Sequence, residues 1–242
     1  MKLAICILLI GCSTIWSCSQ PKTIELSFEH KETGLDADEQ TLKSIQKIGK
    51  MYIVTYHGDY EERLEWLNEY HVTESSKLDY KRNCSLFAAY NGKKNIFLGR
   101  NFDRLSEIPV LGKFSPSGKF SSFAFSPGSE VSINGIVGNA NPTVEQKDHF
   151  LYCLPFYATD GINEKGLSIA IAGAPSRRIN HSEQREPMFV LLFIRYVLDN
   201  CKNVDVVAQF AESVSLYDSA LGTISHHFIV VDASGQWLII DY

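Results

Sequence analysis

Cys84-Ser85-Leu86-Phe87-Ala88-Ala89-Tyr90, then Asn91-Gly92-Lys93-Lys94, then Asn95-Ile96-Phe97-Leu98-Gly99-Arg100-Asn101-Phe102-Asp103 read as a strand, a turn and a return strand. Asn-Gly between two apolar runs is the strongest short hairpin signal. If Asn91 pairs with Lys94, opposed residues sum to 185, and Cys84 faces Asn101 with Arg100 and Asp103 close by. Strand alternation puts positions 100 and 103 on opposite faces. A bulge or the strand end near Asn101 is needed to turn both toward Cys84. A guanidinium beside a thiol favours thiolate, and a carboxylate holds a positively charged group in place.

Outward from the hairpin, residues 105–148 are rich in Ser, Gly, Pro and Asn and predict short strands with long loops. Phe150 to Phe156 and Gly166 to Ala172 read as strands separated by a turn over Asp160 to Gly166. Pro187 suits a first helical residue, and Phe189, Leu192, Phe193, Tyr196 and Val197 supply an apolar helix face to about Asn200. Asn203 caps a second helix to about Ser213. His226 to Val231 and Gln236 to Ile240 form a last hairpin around Asp232 to Gly235. Strands, then helices, then strands predict an α+β layered domain.

Upstream, residues 19–83 carry 13 Asp/Glu against 9 Lys/Arg. Leu42, Ile45, Ile48 and Met51 recur at helical spacing, and Met51 to Tyr56 reads as a strand. Tyr60 to Tyr70 is charged, with Leu64, Trp66 and Leu67 as its apolar part. The segment holds too few apolar residues to be a domain.

The 242 residues, 45% hydrophobic with a net charge of -5, can bury a core and show no basic run. Nucleic acid is excluded as a partner class. Met1 and Lys2 precede an apolar stretch from Leu3 to Trp16, shorter than the roughly 20 residues of a spanning helix. Residues 1–17 read as a signal peptide of lipoprotein type, with Cys18 as the lipid attachment site and Cys12 as the alternative. An ordinary cleaved signal is the other reading. Three cysteines outside that region, Cys84, Cys153 and Cys201, exclude a disulfide-rich scaffold. Cys153 and Cys201 are either one bridge or two buried thiols. His226 and His227 are adjacent on a strand and face opposite ways. No metal or cofactor is expected.

Cys84-Ser85 with Arg100 sixteen residues on and Asp103 nineteen on is similar to the start of the mature choloylglycine hydrolase and penicillin V acylase group. A second motif agrees: Asp160-Gly161-Ile162-Asn163-Glu164-Lys165-Gly166-Leu167, followed by a small-residue strand. Leu154-Pro155-Phe156 suits the branch related to acyl-CoA:6-aminopenicillanic acid acyltransferase. The resemblance covers residues 84–242. It implies a linear amide C–N hydrolase with an N-terminal nucleophile (Ntn) fold, an αββα four-layer sandwich incomplete at the C-terminus. Residues 18–83 would be a propeptide or N-terminal segment, and autoproteolysis would cut between Asn83 and Cys84. The freed α-amine, with a reference pKa near 7.7–8.0, would act as base for its own thiol. By resemblance Asp103 orients that amine, Arg100 sits beside the thiol, and Asn101 is a substrate-binding neighbour.

Two departures matter. A family asparagine that follows the second motif falls at Gly173, which offers only its backbone N–H, so bile salts are not assumed as substrates. An oxyanion asparagine and a second arginine, expected further on, are absent from the 159 residues that begin at Cys84 (242 − 83), so a C-terminally truncated sequence is expected. The implied partners are a small-molecule N-acyl amide substrate and a membrane reached through the lipid anchor, in the bacterial cell envelope (periplasm or outer membrane). An acyltransferase using the same acyl-enzyme and a non-catalytic envelope lipoprotein are the alternatives.

Overall fold

The computed structural model describes residues 3–5, 24–26, 36–64, 83–90, 96–103, 107–178, 185–218 and 223–241. They fall into two units, Met1–Gly34 and Leu35–Tyr242. In the first, β1 (Leu3–Ile5) pairs antiparallel with β2 (Ile24–Leu26).

In the second unit eight strands form one sheet. They are β3 (Gln46–Ile48), β4 (Met51–Thr55), β7 (Pro109–Phe114), β8 (Ser122–Pro127), β9 (Asp160–Asn163), β10 (Ser168–Arg178), β13 (Thr223–Val231) and β14 (Trp237–Ile240). Their order is β14-β13-β10-β9-β8-β7-β4-β3. Residues paired across strands point to the same face, so the register sorts side chains into two sets. Val54, Ala124, Ile169, Ile171, Phe228 and Val230 face one way and join the main core. Against them pack α3 (Val144–Phe156) and α4 (Val190–Asn200), through Phe150, Leu154, Phe193, Val197 and Leu198. The alternating set, Ile53, Leu111, Phe125, Asp160 and Ala170, faces away from these helices. The hairpin of β5 (Asn83–Tyr90) and β6 (Ile96–Asp103) is a separate two-stranded sheet that packs on β10 and β13. Arg100 of β6 reaches Asp160, so the hairpin lies on the face away from the helices. The α+β layered class holds, with helices, large sheet and hairpin in that order.

Several local expectations change. Phe150 to Phe156 is helical, because Thr143 and Gln146 close a capping box that starts α3. A short apolar run buried on all sides does not distinguish strand from helix by periodicity. Pro187 lies in β11 (Glu186–Phe189), which pairs in parallel with β12 (Val214–Tyr217), and α4 begins at Val190. Asn203 does cap α5 (Val204–Ser213), its side chain accepting from the Val206 N–H. Asp160 to Gly166 is a strand before it is a turn. The helical spacing from Leu42 to Met51 gives only α1 (Ala37–Lys43), and the chain then turns into β3 and β4. Helix α2 (Ile133–Val137) occupies part of the expected loop region. Among the described residues, no helix is long and apolar enough to cross a membrane.

Residues 36–64 are built into the sheet rather than laid upon it. Strand β4 runs parallel to β7, from Tyr52 opposite Val110 to Thr55 opposite Lys113. Val54, Tyr56 and Tyr60 are buried in the main core. The Tyr60 hydroxyl donates to the Asp199 carboxylate at 2.7 Å. Arg195 pairs with that carboxylate at 2.6 Å and donates to Ser122 Oγ at 2.6 Å. Its guanidinium also covers the rings of Tyr60 and Phe114. Burial above all pushes the Tyr60 phenol far above its ordinary value, so it stays a donor. The folding unit therefore spans the boundary expected at Cys84.

Removing this donor isolates its contribution. Tyr60→Phe leaves Asp199 paired with Arg195 but takes away a hydrogen bond to a charged group, a loss of about 1.5–3 kcal/mol in urea unfolding. A change under about 0.5 kcal/mol, the scale of ordinary surface substitutions, would show that this contact does not hold the segment.

Candidate active site

The hairpin register decides which side chains meet. Tyr90 pairs with Ile96, leaving five residues in the connection, and opposed residues sum to 186 instead of 185. Cys84 therefore opposes Phe102, and Asn101 opposes Ser85. A one-residue change of register reverses the face of every side chain relative to its partner strand. Leu86 opposes Arg100, so Cys84, Leu86 and Arg100 share one face with no bulge. Asn101 lies on the alternate, outer face and is exposed; it is not brought to the thiol. Asp103 pairs with Asn83 in the backbone ladder, and its side chain lies outside the described residues.

Cys84 is half-buried, and the Arg100 guanidinium donates through Nη2 to its sulfur at 3.9 Å. The other terminal nitrogen, Nη1, donates to Thr159 Oγ1 at 2.6 Å and to Asp160 Oδ2 at 2.5 Å. Thr159 is fixed in turn by its N–H on the Phe125 carbonyl at 2.8 Å, and its own carbonyl accepts from the Ile171 N–H. The Asp160 carboxylate thus belongs to the candidate site, where the sequence reads a turn. The signal for it was an acid opening the second motif, and only the fold shows that β9 passes beneath the hairpin.

The rest of that motif is architectural. A Cβ on Gly161 would stand 2.6 Å from the Phe123 carbonyl oxygen and 2.8 Å from Leu198 Cδ1, so glycine lets α4 approach the sheet. Asn163 is buried; its amide donates to the carbonyls of Leu198 and Cys201, and its oxygen accepts from the N–H groups of Lys165 and Leu167. It therefore satisfies carbonyls that the end of α4 leaves open. Gly166 has φ +79°, a left-handed turn position.

Cys153 and Cys201 are buried free thiols. Burial pushes Cys201 up to about 11, and burial, with the charge of Glu130 adding to it, pushes Cys153 well above the ordinary thiol value. His226 is buried opposite Gly173 and meets Asp218 at 2.9 Å; Ser225 donates to the same carboxylate oxygen. Burial alone would raise Asp218, but hydrogen bonds from His226 and Ser225 outweigh it and hold the carboxyl below its ordinary range. The Ser225 hydroxyl points at the carboxylate and not at the imidazole, which is not a nucleophile-activating order.

Residues 136–242 match the family described as linear amide C-N hydrolases, choloylglycine hydrolase family. That match covers 107 of the 242 residues, less than half of the chain. It contains the second motif and Asp160, and it begins downstream of Cys84 and Arg100. No curated protein matches the chain. Among solved structures, penicillin V acylase from Agrobacterium tumefaciens is similar at 16% identity and TM-score 0.45, over 65% of this chain and 46% of that one. A mutant of conjugated bile acid hydrolase from Clostridium perfringens is similar at 16% identity and TM-score 0.43, over 66% of this chain and 51% of that one. The chain spans about half the length of these two proteins.

Two measurements follow from this geometry. Iodoacetamide at pH 8 should label Cys84 in the native protein and leave Cys153 and Cys201 unlabelled until urea is added; native labelling of all three would contradict their burial. Asp218 has a depressed folded pKa, so its stabilisation is present above the unfolded value near 3.9 and is lost as pH falls through the lower folded value. Asp218→Asn should therefore be less stable than the parent at pH 6, with the difference shrinking toward pH 2.

Proposed function

We propose that this chain hydrolyses a linear amide bond in an N-acyl substrate, with Cys84 as nucleophile after a cut between Asn83 and Cys84. The observation that carries the reading is a half-exposed thiol at the start of a strand with an anchored guanidinium on its sulfur. In the uncut chain the Cys84 nitrogen is an amide and cannot serve as a base. Cutting frees an α-amine on the same residue as the thiol, so little ordering entropy is spent in bringing base and nucleophile together. That amine accepts the thiol proton, the sulfur bonds to the acyl carbon, and the C–N bond breaks as the leaving amine takes the proton. Water then releases the acid from the thioester. Asp103 is assigned to hold the freed amine, and Cys18, or Cys12, to carry the lipid that anchors the protein in the cell envelope.

The mature N-terminus is the first test. Mass spectrometry should find Cys84 as a first residue; an intact chain from Cys18 onward in the native host favours a non-catalytic envelope protein. Cys84→Ala should block a self-catalysed cut. Cys84→Ser should lose turnover on a panel of penicillin V, a glycine-conjugated bile salt, an N-acyl homoserine lactone and an N-acylethanolamine. Unchanged turnover by the Ser form would remove Cys84 from the role. Asp103→Asn should lower turnover more than stability, given about 1.5–3 kcal/mol for a charge-assisted bond to the amine.

A further inference from the structure

The geometry points to Asp160 as the positioning residue of this site: we propose that it holds Arg100 so that the second guanidinium nitrogen stays on the Cys84 sulfur. The inference rests on Cys84 being the nucleophile and adds a residue through which its environment is set. An arginine side chain has several rotatable bonds, and a 3.9 Å contact to sulfur is too weak to fix it. The contacts at the other nitrogen, 2.5 Å to Asp160 Oδ2 and 2.6 Å to Thr159 Oγ1, are the strong ones, and that to Asp160 is charge-assisted. Asp160 is itself held on both sides, its backbone paired with Phe125 of β8 and with Ala170 of β10 in the middle of the large sheet. Arg100 stands on a two-stranded hairpin, which has marginal stability alone. The rigid partner therefore sets the position of the mobile one. The carboxylate also offsets part of the guanidinium charge that reaches the sulfur, so the role of Asp160 is geometric and not to make the site more positive.

A double-mutant cycle on the full chain tests this, read as the rate of iodoacetamide addition at Cys84 at pH 7, mapped by peptide mass spectrometry. Asp160→Ala and Arg100→Ala are each expected to slow alkylation by about tenfold, and the double variant to be no slower than Arg100→Ala alone, as for two groups acting as one. Asp160→Asn keeps an acceptor oxygen of the same shape and should restore the rate to within about threefold of the parent, a rescue that a general loss of stability would not give. If the double variant is slower by the product of the two single effects, the assignment is overturned. Should Asp160→Ala fail to fold, the cycle is run with Asp160→Ser, which likewise removes the carboxylate: a fall in the parent background and none beside Arg100→Ala upholds the role, and equal falls, or no fall in the parent background, overturn it. Turnover on the substrate panel is measured in parallel. Coupling without turnover in any form upholds the positioning role and sinks the amidase reading, whereas turnover without coupling sinks the positioning role alone.

Discussion

The contact between Arg100 and Asp160 joins two parts of the molecule that share no backbone ladder. Among the described residues the β5–β6 hairpin is a two-stranded sheet separate from the eight-stranded one. Packing of the hairpin on β10 and β13 brings it to the sheet, and Arg100 fastens the end that carries Cys84. At the other end, Tyr90 donates to the carbonyl of Gly235 in the turn before β14. Held at both ends, the hairpin presents its Cys84 face to the sheet and leaves Phe87 and Phe97 exposed on the outside. Through Arg100, the surroundings of the Cys84 sulfur thus include a carboxylate located 76 residues away in sequence (160 − 84).

The strand that supplies this carboxylate is itself set by its neighbours. Gly161 admits Leu198 of α4, and Asn163 closes the end of the same helix. One eight-residue motif therefore has two outputs. Its first residue faces the hairpin, and the alternate positions face the helices. Strand alternation is the reason one segment can carry both, since residues 160 and 161 must point to opposite faces.

The N-terminal segment shows how far composition can mislead. Residues 19–83 are acidic and polar, and their apolar residues are few. Those few are placed where they count: Val54 on the helix-facing side of β4, and Tyr56 and Tyr60 in the core beyond it. Tyr60 is both a large buried ring and a donor, which lets it bind Asp199 and lie beside Arg195. A buried charge pair needs such partners, because removing one member leaves an unpaired charge in the interior. A chain cut before Cys84 would still have β4 in the middle of its hydrogen-bond ladder, between β3 and β7.

Much of this was legible in the residues. The two strands that begin at Cys84 and end at Asp103, the cap at Asn203, the closing hairpin around Asp232 to Gly235, the strand from Met51 and the α+β class were all legible in local signals, because turn chemistry and capping act over a few residues; the Asn91-Gly92 turn itself lies outside the described residues. The pairing of Cys84 with Arg100 was legible as a spacing. What the sequence could not settle was register and environment. Five connecting residues instead of two shift the ladder by one, and that single step replaces the expected Cys84–Asn101 pair by a Cys84 and Arg100 that share a face. The helical state of Phe150 to Phe156 was hidden because a short, largely buried apolar run does not distinguish helix from strand by periodicity. Asp160 was read as a turn because its meaning lies in what crosses above it. Local signals specify elements; only the tertiary packing, by choosing a register and stacking a hairpin on one face of the sheet, decides which thiol, guanidinium and carboxylate meet.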